Sequence, residues 1–260
     1  MVTIKTPQEI ALMREGGKLL ASAVKKIASE VRPGVAIADL DKMAREIMEQ
    51  GGGKPAFLGY RQSGTPPFPS TVCISVNSEV IHGIGNRDII LKEGDIVGLD
   101  TGVQYQAKGG LFTDMAVTVP VGVVSDEATR LMNTTRESLE LAIEAIKPGV
   151  YIHELGKIVQ NYCEERGYGV IRDFTGHGIG YKAHEEPAVF NYYDSRMPKI
   201  QLRPGMVICV EPMITLGDWH VIIDRDGWTV RTQDKSLAAH FEHTIAVTES
   251  GHEVLTRFED

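Results

Sequence analysis

The sequence is poor in cysteine, has no basic excess and contains no long apolar run. Its three cysteines, Cys73, Cys163 and Cys209, share no paired spacing. A sparse, odd count fits reduced thiols in a cytosol rather than a disulfide framework. No stretch of about 18 apolar residues occurs, so a membrane span is not expected. Lys and Arg total 27 against 35 Asp and Glu, a net charge of −8. Without a basic footprint, nucleic acid is excluded as the main partner. The opening Met1-Val-Thr-Ile-Lys-Thr-Pro lacks the charged-then-apolar pattern of a secretory signal, and no segment is low in complexity. A cytoplasmic chain is the expectation. At 260 residues it can bury a core without covalent staples.

What the sequence does contain is an imperfect internal copy. Val31-Arg-Pro-Gly-Val-Ala-Ile-Ala-Asp-Leu40 reads like Ile146-Lys-Pro-Gly-Val-Tyr-Ile-His-Glu-Leu155. Ile81-His-Gly-Ile-Gly85 reads like Gly176-His-Gly-Ile-Gly180, and Leu91-Lys-Glu-Gly-Asp-Ile-Val-Gly-Leu-Asp100 like Leu202-Arg-Pro-Gly-Met-Val-Ile-Cys-Val-Glu211. Three matches in the same order suggest one domain, 1–260, made of two fused halves, roughly 1–122 and 123–260. The third match makes Asp100 and Glu211 equivalent, each closing an apolar run. Carboxylates related by a pseudo-twofold would meet between the halves, a geometry suited to a pair of metal ions.

Local patterns repeat in the same way. Thr6-Pro7-Gln8-Glu9 is a capping box, followed by apolar residues at helical spacing from Ile10 to Val31 and a stop at Pro33-Gly34. A second helix is predicted from Asp39 to Gln50. In the second half Ser125 caps a helix that Pro148-Gly149 stops, and another runs from Leu155 towards Gly167. Strand-like runs cover Thr71 to Val76, Ile96 to Val103, Leu111 to Val119, Met206 to Ile214 and Phe241 to Val247. Gly59 to Pro69 reads as a loop. The fold class expected is α+β, with a curved, mostly antiparallel sheet and helices on its outer face.

Five residues stand out as hard or borderline ligands: Asp100, Asp114, His177, Glu211 and Glu242. Asp100 and Asp114 flank a predicted hairpin at Lys108-Gly109-Gly110 and would face each other, which requires a proton or cation between them. The bland reading is a pair of solvated turn residues. Glu211 ends the apolar Met206-Val-Ile-Cys-Val210, where a charge is rarely buried unpaired; the bland alternative is a salt bridge to an arginine. His177 lies between glycines that allow close backbone approach, and His82 sits in the matching motif. His184 precedes Glu185-Glu186-Pro187 and could hydrogen-bond a substrate. Four carboxylates and an imidazole suit divalent manganese, iron, cobalt or zinc. Two such ions can activate water against an amide or ester.

With these motifs in place, the chain closely resembles the type I methionine aminopeptidases of the pita-bread metallopeptidase fold. The resemblance runs from Ile4 to about Thr256. It is carried by Val72-Cys-Ile-Ser-Val-Asn77, His82-Gly-Ile, Gly94-Asp-Ile-Val, Gly176-His-Gly-Ile-Gly180, His184-Glu-Glu-Pro187, Glu211-Pro-Met213, Asp226-Gly-Trp-Thr-Val230 and Glu242-His-Thr244. It implies that Asp100 chelates one of two divalent ions, that Asp114 and Glu242 bridge them, and that His177 and Glu211 complete the other. It further implies an activated water as nucleophile, Glu211 as proton relay, His184 at the oxyanion or the peptide, and His82 near the leaving nitrogen. Phe57, Tyr60, Phe68, Cys73 and Trp228 would form the methionine pocket, with a small second residue preferred. The implied partners are N-termini of nascent proteins or peptides, acted on by a monomer.

Departures from the family pattern concern the pocket and one turn. The Asp100–Asp114 interval is three residues longer than usual, with the extra length expected in the turn at 104–108. A second insertion lengthens the loop at 62–67. Ala183 stands before His184 where many relatives carry a bulky aromatic. Two alternatives share the scaffold. One is a prolidase or Xaa-Pro aminopeptidase, which typically has a large extra N-terminal domain and does not usually follow its last metal glutamate with histidine and threonine. The other is a metal-free binding module, which would have lost ligands.

Overall fold

The computed structural model describes residues 2–61, 64–106 and 109–258. The first half runs α1 (Pro7–Ser29), α2 (Ile37–Gln50), β1 (Gly53–Pro55), β2 (Cys73–Val76), β3 (Glu79–Ile81), β4 (Ile96–Tyr105) and β5 (Leu111–Pro120). The second opens with α3 (Asp126–Glu144), α4 (Ile152–Glu164), β6 (Gly169–Val170), β7 (Gly176–Gly178), β8 (Glu185–Val189) and β9 (Val207–Val210). It closes with β10 (Met213–Thr215), β11 (Val221–Ile223), β12 (Val230–Thr232), β13 (Ala238–His240), β14 (His243–Val247) and β15 (His252–Val254).

The expected caps form. Thr6 Oγ1 accepts from the Glu9 N–H at 3.3 Å while the Thr6 N–H donates to Glu9 Oε2 at 2.7 Å, and Ser125 Oγ accepts from the Ala128 N–H at 3.1 Å. Each satisfies an amide that the first helical turn leaves without a partner. The α2 helix begins at Ile37, two residues before the expected Asp39. The repeat is written into the backbone as well. Gly34 and Gly149 both have φ of 88°. Their N–H groups donate to Leu91 and Leu202 carbonyls at 2.8 and 2.9 Å, and Ile37 and Ile152 N–H groups to Ile89 and Ile200 at 3.0 and 2.9 Å.

All strand pairs are antiparallel, and among the described residues they fall into four hydrogen-bonded sheets. The first-half sheet is β1-β4-β2 with β5 on β4, and the largest of the second half is β15-β14-β9-β7-β8. They meet where Ala116 bridges Glu242, the Glu242 N–H donating to Ala116 O at 2.9 Å. Helix α1 lies across β4 and β5, and α3 covers β13 and β10. The main core draws on both halves, from Leu20, Ile74 and Leu99 to Leu139, Ile208 and Ile245.

Three expected features change. The run from Met206 to Ile214 is two strands, because Pro212 has no N–H for a ladder. The chain leaves the sheet at Val210 and enters another at Met213. The run from Phe241 to Val247 holds one strand that starts two residues late, at His243, and a separate strand ends just before it at His240, with His243 opposite Val210 and His240 opposite Met213. In the first half, Asp100 does not close its strand. Strand β4 continues to Tyr105, so Gln104 and Tyr105 belong to the ladder rather than to the turn. Residues 107–108 of that turn, and 62–63 of the lengthened loop, lie outside the described residues. Strands of two or three residues such as β1, β6 and β11 were not anticipated, being too short to show alternation.

Gly17 sits on the buried face of α1, and a Cβ there would stand 2.0 Å from the Leu255 carbonyl oxygen. Alanine gains about 1 kcal/mol of helix propensity over glycine, but a backbone carbonyl cannot swing aside as a side chain can. Gly17→Ala is therefore expected to destabilise the fold by roughly 1–3 kcal/mol, read as a lower thermal midpoint.

Candidate metal centre

The breaks described above are where the acidic residues emerge. Glu211 sits at the switch between β9 and β10, and Glu242 at the switch between β13 and β14. Asp100 and Asp114 come from the middle of the β4–β5 ladder. Asp100 stands opposite Ala116, and Asp114 opposite Gly102. The two aspartates are thus diagonal neighbours on one face, not directly opposed as the predicted hairpin implied. Thr244 ties the halves at this point: its Oγ1 accepts from the Asp114 N–H at 2.9 Å and donates to the Asp114 carbonyl at 2.7 Å.

Three overlapping donor groups result: Asp100, Asp114 and Glu242; Glu211, His240 and Glu242; and His177, Cys209 and Glu242. Within each, one ligand atom per residue lies within 4.8 Å of the others. Glu242 belongs to all three, which makes it the centre of the cluster. His177 Nε2 stands 3.5 Å from Glu211 Oε1 and His240 Nε2 3.7 Å from Glu211 Oε2. The His177 ring is oriented by Nδ1, 2.9 Å from the Gly178 carbonyl, which leaves Nε2 as the lone-pair nitrogen. The glycines beside it serve packing between strands rather than access to the site. A Cβ at Gly176 would meet the Cys209 carbonyl oxygen at 2.3 Å, and one at Gly178 the Glu186 carbonyl oxygen at 2.3 Å.

A salt bridge to arginine is ruled out for Glu211: among the described residues its ion-pair partners are only imidazoles. Asp100 Oδ1, Asp114 Oδ1, Glu211 Oε1 and Glu242 Oε1 are buried without a hydrogen-bond partner. The solvated-turn reading fails too, since Asp100 is 8% and Asp114 2% exposed. Burial, then the charges of Glu242, Asp100 and Glu211, pushes Asp114 well above the usual carboxylate range. Burial and Asp100 do the same to Glu211, and burial, Glu211 and Asp100 to Glu242. Burial raises Asp100 to about 6, with His240 opposing the shift. The imidazoles move the other way. Burial, with His184 adding, takes His177 down to about 3; burial lowers His82 and His184 to about 4, and lowers His240. At neutral pH these rings are uncharged. The Cys209 thiol is raised well above its ordinary value by burial beside three of the carboxylates and stays protonated. Oxygen donors without partners and a neutral imidazole nitrogen fit a hard or borderline divalent cation.

The cluster opens into a cleft lined by Phe57, Tyr60, Phe68, Cys73, His82, His184 and Trp228. Every residue expected for the pocket is therefore present beside the carboxylates. Phe68 meets Trp228 edge-on with centroids 5.3 Å apart, and Trp228 Nε1 donates to the Pro66 carbonyl at 3.0 Å, pinning the loop. Asp226 Oδ1 accepts from the Trp228 and Thr229 N–H groups at 2.8 Å each. Cys73 is positioned from behind by Asp41, whose buried Oδ1 accepts from the Thr71 and Val72 N–H groups. His184 lies 4.3 Å from the His177 ring and 5.2 Å from Tyr60. His82, held at φ 58°, stands edge-on to Trp228 at 6.1 Å. Sequence reasoning missed Ile81, which also lines the cleft, and His240. The alternation of His240 with Glu242 was the available signal for the latter. A larger groove between α3 and β5, walled by Met132, Leu139 and Phe241, has no carboxylate cluster.

Comparison with known proteins agrees with this geometry. The model of metallopeptidase family M24 matches residues 11–249. The methionine aminopeptidase of Aquifex aeolicus is 41% identical over 261 residues, covering 98% of both chains. The crystal structure of methionine aminopeptidase from Thermotoga maritima superposes with a TM-score of 0.93 at 42% identity, covering 99% of this chain and 100% of that one. The prolidase of Pyrococcus horikoshii shares the pita-bread architecture more distantly. Its TM-score is 0.77 at 27% identity, over 98% of this chain and 64% of that one. A site of clustered carboxylates beneath an apolar cleft, in a chain this similar over its whole length, leads to one assignment: it belongs to the methionine aminopeptidases of metallopeptidase family M24.

Proposed function

We propose that this enzyme releases the N-terminal methionine from peptides and nascent proteins whose second residue is small, using a pair of divalent ions. The observation that supports this most directly is the set of four buried carboxylates with partnerless oxygens at the floor of an apolar cleft. Asp100, Asp114, Glu242, Glu211 and His177 would hold the ions, and Glu242 is common to every donor group. When bound, such ions supply Lewis acidity and lower the pKa of water.

The chain's own groups do the rest. Phe57, Phe68, Cys73 and Trp228 form a buried apolar cluster, with Tyr60 packed against it. That surface suits the unbranched thioether side chain of methionine, which adapts to an irregular pocket. His82 and His184 are neutral at pH 7, because their pKa values are lowered to about 4 by burial. Each offers an N–H to the peptide without adding positive charge, His184 from the side of His177 and His82 from the side of Trp228. Glu211, whose proton affinity is raised by burial and by Asp100, would take a proton from the nucleophile and pass it to the leaving amine. The free α-amino group of a substrate would bind at the metal centre, which restricts cutting to the first residue. A cytoplasmic setting among nascent chains suits these substrates.

Glu211→Gln is expected to fold and to lose turnover by about a hundredfold or more, assayed on a Met-Ala-Ser peptide; near-normal cleavage would remove Glu211 from the mechanism. Peptides beginning Met-Ala or Met-Pro should be cut while Leu-Pro and Arg-Pro peptides are not, and efficient release of leucine or arginine would move the enzyme to the prolidase type. Cation binding should also release protons. The carboxylates have raised pKa values, Asp100 to about 6, so part of the cage is protonated near neutrality and must ionise to bind. His177, lowered to about 3, has no proton to give. Affinity for a divalent ion therefore rises as pH increases through about 6. Calorimetry at pH 7 in buffers of different ionisation enthalpy should report proton release, and a buffer-independent enthalpy would contradict this account.

A further inference from the structure

His240 ends β13 two residues before Glu242 and is 3% exposed. Its Nε2 is buried without a hydrogen-bond partner. That nitrogen faces Glu211 Oε2 at 3.7 Å, while the other oxygen of the same carboxylate faces His177 Nε2 at 3.5 Å. Glu211 is thus flanked by an imidazole on either side. The ring cannot easily move away, because its backbone is locked. The His240 N–H donates to Thr118 Oγ1 at 2.9 Å, the same hydroxyl donates to the His240 carbonyl at 2.8 Å, and the residue pairs with Met213 across the ladder.

A buried imidazole nitrogen with no partner is costly. At 3.7 Å a hydrogen bond to Glu211 is out of range. In the group of Glu211, Glu242 and His240 an imidazole nitrogen of His240 lies within 4.8 Å of ligand oxygens of both carboxylates, where it can donate its lone pair to a shared cation. We infer that His240 is a metal ligand, a second nitrogen donor on the Glu211–Glu242 side of the centre. The inference rests on the metal centre proposed above. It has a consequence for ion choice: imidazole favours zinc and iron, whereas sites of carboxylate alone suit manganese. His240 biases this centre towards the first class.

The test compares cation-free wild type, His240→Gln and His240→Ala. Glutamine keeps much of the volume and can hydrogen-bond Glu211 but has no imidazole. Zinc and manganese affinities are measured by competition with a chelating dye. Both variants should bind zinc at least about tenfold more weakly with a smaller change for manganese, so the zinc-over-manganese preference falls. X-ray absorption of the zinc-loaded wild type gives a readout that needs no variant to fold, and should show imidazole scattering from both His177 and His240. A wild-type preference retained in His240→Gln, or scattering from His177 alone, overturns the inference while leaving the centre intact. A wild type that binds neither ion overturns the centre and this ligand together.

Discussion

Four carboxylates held within a few ångströms of one another and away from water are the constraint on which this structure turns. Unit like charges at such distances repel by roughly 3–4 kcal/mol per pair at an effective dielectric of about 20. Among the described residues no lysine or arginine relieves Asp100, Asp114, Glu211 or Glu242; the ion-pair partners of the cluster are imidazoles. The raised proton affinities of all four express the same strain. A flexible chain would relax by turning these side chains to solvent. Here the core of both halves packs behind them and prevents it. A multiply charged cation held among these oxygens would relieve that repulsion.

The backbone achieves this with a device that occurs twice. Two antiparallel strands change sheets at the same level, one at Glu211-Pro212 and the other at Phe241-Glu242. A residue at such a switch is released from the alternation of a regular ladder, so its side chain can point into the seam between sheets. Pro212, with no amide hydrogen to place, makes the first switch inexpensive. Thr244 and Thr118 then bind the two halves across the seam through short hydroxyl links to the backbone of Asp114 and His240. Positioning comes from strands and their hydroxyl clamps, whereas the apolar cleft is walled partly by a loop that Trp228 ties down through the Pro66 carbonyl.

Much of this was legible along the chain because its signals are local. The capping box at Thr6 and the Ser125 cap depend on three or four neighbouring residues, and both formed as read. The duplication was visible because the turn at Pro33-Gly34 and the turn at Pro148-Gly149 need the same left-handed glycine and the same backbone partners. The five ligand candidates were legible as acidic or imidazole side chains next to apolar runs. The strand breaks were not, since Met206 to Ile214 is uniformly apolar apart from Glu211-Pro212, and composition does not say which sheet each part joins. His240 was missed for a related reason: it falls just before the run expected to begin at Phe241, and only the crossing of β13 beside Glu211 gives its ring a chemical setting.

The order of residues by itself determined the helices, the two matching Pro-Gly turns and which side chains carry charge or a lone pair, because propensity, capping and turn chemistry are properties of short segments. Tertiary structure alone decided which of those groups share a space. It made Asp100 and Asp114 diagonal rather than opposed, put Glu242 in every donor group, set Phe57, Phe68 and Trp228 around one cleft, and brought His240 to the second face of Glu211. Two of those relations, Glu242 with Asp100 and Trp228 with Phe57, join residues more than one hundred positions apart. They follow from how two sheets meet and exchange strands, which depends on packing over the whole chain and not on any one stretch of it.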